Sequence, residues 1–176
     1  MRVALAQSRV LVCGSRHWPW PRTVDTALDR LTTRHGARLV VIEGAATGAD
    51  SAAHQWCLRQ GLQADRHRCY PVDWPAQRRA RPNDWRQAGP ERNSRMLLNE
   101  HPQLIIAFHE DLMLASGGTS DMCLRGLVRN LPVWHIPGKD VTVGQWLRIE
   151  LFPPARIARV QRELGAARPN IGTTIF

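Results

Sequence analysis

Lysine is almost missing from this chain. Lys139 stands alone, so a formal charge of +9 rests on arginine, accompanied by abundant alanine, proline and tryptophan. That bias reads first as the imprint of a GC-rich coding sequence. The charge suits polyanionic partners, so nucleic acid is a possible partner, but composition alone does not establish contact. Long apolar runs are missing too. None approaches the roughly 20 residues needed to span a bilayer, and no membrane partner is expected. The opening stretch, residues 1–9, is too short and too quickly interrupted for a signal peptide, so the protein is expected in the cytoplasm. Paired cysteines are also missing. Cys13, Cys57, Cys69 and Cys123 are scattered without a Cys-x-x-Cys pair, which points to buried free thiols and away from a disulfide framework. His54 shares a helix face with Cys57, and His67 precedes Cys69 by two. Structural zinc sites use paired ligands on tight loops, so neither a metal nor a cofactor is expected.

What remains is enough for one domain. The 176 residues are 43% hydrophobic, sufficient to bury a core without disulfides or metal. Arg9-Val10-Leu11-Val12-Cys13, Leu39-Val40-Val41-Ile42, Leu104-Ile105-Ile106-Ala107-Phe108 and Pro132-Val133-Trp134-His135-Ile136 read as buried strands, with a weaker one across 64–69. Between them lie helical patterns: Val24, Ala27, Leu28 and Leu31 after Pro21; Ala49, Ala52, Ala53 and Trp56; a helix opened by Pro90; and one from Thr119. Residues 70–89 are broken by Pro71, Pro75 and Pro82 and crowded by Arg78, Arg79, Arg81 and Arg86, so a functional or mobile loop is expected. Beyond Gly138 the alternation stops. Helices are expected over 143–151 and 156–164, then a loosely held end. The alternation predicts an α/β, Rossmann-like, doubly wound and mostly parallel sheet of about five strands with helices on both faces. The domain is placed at 9–137 and a helical or irregular C-terminal extension at 138–176.

Three glycine-rich segments follow strands and open helices: Gly14-Ser15-Arg16, Gly44-Ala45-Ala46-Thr47-Gly48-Ala49-Asp50 and Gly117-Gly118-Thr119-Ser120-Asp121. In a parallel sheet such loops emerge at one edge and should converge. Glycine admits a ligand close to the backbone, and a helix N-terminus favours an anion. The dinucleotide fingerprint Gly-x-Gly-x-x-Gly is absent, so each segment is read on its own residues. Ser15 offers a hydroxyl, and Arg16 a planar fork for phosphate or carboxylate. Trp18 and Trp20 either stack on a base or pack on the sheet edge. Asp50 either caps its helix or meets a ligand. Asp121 either serves the site or pairs with Arg125 four residues on, along the helix surface. Gly89-Pro90-Glu91-Arg92-Asn93 adds Arg92 and Asn93 at another helix start.

Those three segments together with Gly89-Pro90-Glu91-Arg92-Asn93-Ser94-Arg95-Met96 resemble, in this order, the YspA/cpYpsA-related branch of the SLOG superfamily. The resemblance covers about 9–136. It implies a Rossmann-like domain that binds a nucleotide or nucleotide-derived ligand, as a sensor in some relatives. Ser15, Gly44, Gly48, Gly118 and Thr119 would then hold phosphate, Arg16 and Arg92 would neutralise its charge, and Asp50 would meet a ribose hydroxyl. Gly14, Trp18, Thr47, Asn93 and Gly117 complete the expected ligand site. The LOG relatives cleave the bond between base and ribose phosphate with Pro-Gly-Gly-x-Gly-Thr-x-x-Glu. Here Asp121 stands two places after Thr119 instead of a Glu three places after, a turn of about 100° on a helix. An N-glycosidic hydrolase using Asp121 and Arg92 is the enzymatic alternative. A third is a single-stranded nucleic-acid binder using the 78–86 arginines with Trp74 and Trp85. Because SLOG proteins often assemble, the resemblance also admits a homo-oligomer.

Overall fold

The computed structural model describes residues 6–166. The strands are β1 (Ser8–Gly14), β2 (Leu39–Glu43), β3 (His67–Cys69), β4 (Leu104–Phe108), β5 (Val133–Ile136) and β6 (Gln145–Trp146). The helices are α1 (Pro21–His35), α2 (Ala49–Arg59), α3 (Trp74–Ala80), α4 (Ala88–Glu100), α5 (Gly118–Val128) and α6 (Pro154–Ala166). The strands form one sheet in the order 3-2-1-4-5-6. β1 to β5 are parallel and β6 is antiparallel to β5. This is the doubly wound, Rossmann-like arrangement that the alternation predicts, with one strand more.

Alternate side chains of each central strand enter opposite layers. Val10, Val12, Val41, Ile106 and Phe108 pack with α1 and α2, while Leu11, Cys13, Val40, Ile42, Ile105 and Ala107 pack with α4, α5 and α6. Strands apolar on both faces are therefore covered on both faces. The order reverses between β1 and β4, so the chain leaving β1 turns to one layer and the chain leaving β4 to the other. A crevice opens at that switch point.

Two segments depart from the sequence expectation. Residues 70–89 are not a loop throughout: α3 lies within them, followed by a 3₁₀ turn at Trp85–Gln87. The Asp73 side chain accepts from the Ala76 N–H at 2.9 Å, and Pro75 falls in the first turn, where its missing N–H does no harm. α3 buries no residue, so it has no apolar stripe for a periodicity search to find. Residues 143–151 do not form a helix. They hold β6 and a 3₁₀ turn at Ile149–Leu151. Trp146 faces Trp134 across the strands with ring centroids 4.7 Å apart, a cross-strand aromatic contact that outweighs helical propensity. The expected helix over 156–164 is α6.

The described part of the C-terminal extension enters the main core: Leu147, Phe152, Val160 and Leu164 are buried with Leu11 and Ile105. Of the expected loose end at 166–176, Ala166 closes α6, and 167–176, like residues 1–5, lie outside the described residues. Among the described residues no helix is long and apolar enough to cross a membrane.

Candidate functional site

A cleft of about 320 Å³ occupies the switch point. It is walled by Gly14, Ser15 and Arg16 after β1, by Asp50 of α2, by Arg92 and Asn93 of α4, and by Ser116 to Ser120 at the start of α5. A smaller hollow of about 230 Å³ adjoins it, bordered by Gly44, Thr47 and Trp74 and sharing Arg16, Ala46 and Arg92. The loops after β1, β2 and β4 thus converge, as the parallel sheet requires.

The first two loops are packed backbone to backbone. A Cβ at Gly14 would lie 2.3 Å from the Phe108 carbonyl oxygen and 2.5 Å from Ala49 Cβ. Gly48 has φ +76°, and a Cβ there would lie 2.1 Å from the Ser15 oxygen. That oxygen also accepts from the Ala49 N–H at 3.1 Å, while Ser15 N–H donates to Phe108 O at 2.8 Å. Gly48 therefore joins loops and does not wall the main cleft. Gly44 is covered by the Arg92 guanidinium, whose Nη1 donates to its carbonyl oxygen and to that of Tyr70 at 3.2 Å. Thr47 is exposed at the rim of the smaller hollow.

The third loop is different. α5 begins at Gly118 with no side-chain cap, so the N–H groups of its first turn are directed to the cleft end of the helix. No atom lies within 4 Å of a Cβ built on Gly118. Space stands in front of it, and Thr119 is half-buried beside that space. The loop is held from behind by Arg156 of α6. Its Nη1 donates to the Leu114 oxygen at 2.6 Å and to Ser120 Oγ at 2.8 Å, and its Nη2 to the Gly117 oxygen at 3.2 Å. Sequence reasoning passed over Arg156. Its signal was present: Arg156, Val160 and Leu164 recur every four residues along α6, which places an arginine within the buried stripe of that helix.

Asp121 is not a cleft wall, although Ser120 and Met122 are. Its carboxylate accepts from Arg125 Nε at 2.8 Å, from Arg125 Nη2 at 3.1 Å and from Asn93 Nδ2 at 2.9 Å. Arg125 is 1% exposed and continues to Ser94 Oγ at 3.0 Å and to Glu163 of α6 at 2.5 Å. The pair foreseen on a helix surface is thus interior. Two charges out of water hold each other there, and Asp121 is engaged on all sides by structure.

Asp50 fills both roles the sequence left open. It accepts from the Gly44 N–H at 3.0 Å and the Ala46 N–H at 3.5 Å, and it also faces the cleft. Burial raises its pKa from the ordinary 3.8 to about 6, with the Arg92 charge pulling the other way. Burial lowers the Arg92 pKa in turn. Asn93 Oδ1 accepts from Arg92 Nε at 3.1 Å, so these two residues and Asp121 form one chain of contacts. Trp18 is turned away from the cleft. It is 5% exposed in the core, its ring edge-on to Phe108 and Trp20 at 5.6 and 5.1 Å and its Nε1 donating to Trp20 O at 2.8 Å. The aromatic ring at the site is Trp74, with the Arg16 guanidinium 5.7 Å above it. The sequence singled out Trp74 only with Trp85, as a platform for nucleic acid, and its place beside the cleft loops depends on how α3 packs. As to metals, His54 and His67 do not pair with the neighbouring cysteines as their spacing suggests; both rings meet Glu43.

Comparison with known proteins agrees with this architecture. The chain is similar in structure to DNA processing protein A from Streptococcus pneumoniae, with a TM-score of 0.56 at 20% identity. The similarity covers 91% of this chain and 56% of that one, so the chain spans little more than half of that protein's length. Likeness at this identity concerns the fold. No curated protein matches in sequence. The family model for YspA, cpYpsA-related SLOG proteins matches residues 8–76, from β1 through the first two loops into α3. Over that stretch, the chain is similar to the YspA, cpYpsA-related SLOG family.

Proposed function

We propose that the chain binds a nucleotide or nucleotide-derived phosphate in the cleft between β1 and β4. One observation carries the reading: an uncapped helix N-terminus, open space before Gly118, and the side chains of Ser15, Arg16 and Arg92 all border one cleft. Helix N–H groups and guanidinium forks are the usual means of holding a phosphate. The phosphate would sit at Gly118 and Thr119, a ribose hydroxyl at Asp50, and the base in the adjoining hollow near Trp74. Similarity to the SLOG family model over residues 8–76 supports a ligand of this class. A binding or sensing role is favoured over hydrolysis because Asp121, the acid an N-glycosidic mechanism would need, is occupied by Arg125 and Asn93.

A second reading has its own observation. The Arg78 and Arg86 guanidinium groups lie 4.5 and 4.6 Å from the Trp85 ring, next to Trp74. Such an arginine–aromatic surface suits single-stranded nucleic acid.

Thermal unfolding against mononucleotides, dinucleotides, NAD, ADP-ribose and cyclic nucleotides tests the first reading, with product analysis of each hit. A ligand at 100 times its Kd stabilises the fold by about 2.7 kcal/mol. Gly118→Val should retain the fold and lose the shift, because its side chain would occupy the empty space. No shift from any compound would sink the small-ligand reading and leave the nucleic-acid surface as the one to pursue.

A further inference from the structure

Outside the cleft, three potential metal ligands meet at the far side of the second loop. Glu43, the last residue of β2, is fully buried. His54 of α2 places Nδ1 2.9 Å from Glu43 Oε1, and His67 of β3 places Nε2 2.9 Å from the same oxygen. The two rings are edge to face at 4.8 Å, and the three ligand atoms all lie within 4.8 Å of one another. Glu43 Oε2 accepts from the Ala45 N–H at 2.5 Å, which fixes the carboxylate's orientation. Cys69 is the register partner of Glu43 on β3.

We infer that Glu43, His54 and His67 form a binding site for a divalent transition metal of the zinc class. Two imidazoles and a carboxylate suit zinc and its neighbours, whereas calcium and magnesium favour oxygen ligands throughout. The convergence is unusual for a hydrogen-bond cluster, because both rings address one oxygen although the carboxylate has two. An ion needs only a modest rearrangement. Bonds of about 2.0–2.1 Å with tetrahedral angles put ligand atoms roughly 3.4 Å apart, so the nitrogens would move outward from Oε1 by a few tenths of an ångström and toward each other. His54 keeps a third of its side chain exposed, which provides a route in from solvent. The site joins β2, α2 and β3, the last an edge strand of only three residues. Its role is to pin the edge from which the Gly44 loop departs.

The test uses the full chain, freed of any affinity tag and stripped of metal. Zinc is titrated in competition with a chromophoric chelator, and cobalt replaces it for visible absorption. One equivalent of zinc should bind, and cobalt should give the intense bands of a four-coordinate site. His54→Gln, on a partly exposed helix face, should weaken zinc binding by roughly tenfold or more. His67→Gln should do the same, and His101→Gln, exposed and remote, should have no effect. Circular dichroism verifies that each variant is folded. Absence of stoichiometric zinc binding overturns the inference, as does binding that survives both His54→Gln and His67→Gln.

Discussion

Gly48 and Gly118 are both loop glycines, but their surroundings assign them opposite tolerances. At Gly48, φ is +76° and a Cβ would enter the Ser15 carbonyl. Gly48→Ala should cost more than about 2 kcal/mol, from left-handed backbone and overlap together. Gly118→Ala meets nothing within 4 Å and should change stability by less than about 0.5 kcal/mol. Urea unfolding of the two variants measures the contrast, and equal losses would contradict it. Asp50 adds a pH signature. Because folding raises its pKa from 3.8 to about 6, the folded chain binds this proton more tightly than the unfolded chain. The resulting stabilisation is complete below about pH 4 and lost as pH rises through about 6, by about 3 kcal/mol in all at about 1.4 kcal/mol per unit. Stability measured from pH 4 to 7.5 for wild type and Asp50→Asn should therefore diverge, with the wild type losing ground as pH rises. Parallel curves would mean that Asp50 ionises normally.

Among the elements, α6 determines more about the site than any sequence motif suggests. Arg156 satisfies the carbonyls of Leu114 and Gly117, and Arg156→Met leaves them without that donor. A loss of about 2 kcal/mol is expected, together with faster hydrogen exchange at Ser116 to Gly118 and weaker ligand binding. Unchanged exchange there would show that the loop stands unaided. Asp121→Asn should destabilise by about 2 kcal/mol, since Arg125 loses its buried carboxylate and keeps only the partly exposed Glu163 as a charged partner. If Asp121 were instead a catalytic acid serving in an open cleft, the substitution would spare stability and abolish turnover. Elements were legible where burial was one-sided or complete. The span Leu104–Phe108 matches its apolar run residue for residue, and α1 begins at the proline that marks it. Legibility failed at α3 and β6, the first a surface helix with no apolar face and the second a two-residue strand fixed by a tryptophan pair. The convergence of Ser15, Arg16, Arg92 and Gly118 followed from topology. The removal of Trp18 and Asp121 from the cleft did not, because it depends on partners such as Phe108 and Arg125 that only packing identifies.

For the molecule as a whole, the +9 charge leaves small-ligand and nucleic-acid binding distinguishable by salt. A single strand lying along Trp74 and Trp85 would release counterions from several phosphates. Its affinity should then fall with a log–log slope of about −0.7 per phosphate contacted. A mononucleotide seated at Gly118 engages one or two phosphates, so its slope should be shallow. Fluorescence anisotropy with a labelled oligonucleotide and calorimetry with a mononucleotide, each between 50 and 200 mM salt (roughly the range over which such slopes are read), separate the two. A steep slope for the mononucleotide would move its site away from the cleft.

The cleft has two jaws of unequal origin. One is complete within the chain up to β4, where the Ser15 and Gly48 backbones interlock against Phe108. The other depends on a side chain at position 156, far along the chain from the loop it braces. During synthesis the sheet can therefore close and the first jaw set while the second still lacks its brace. On the proposed reading, the cleft becomes competent for a ligand only when α6 has emerged and docked, so the sheet can be folded before the loop at Gly118 is braced.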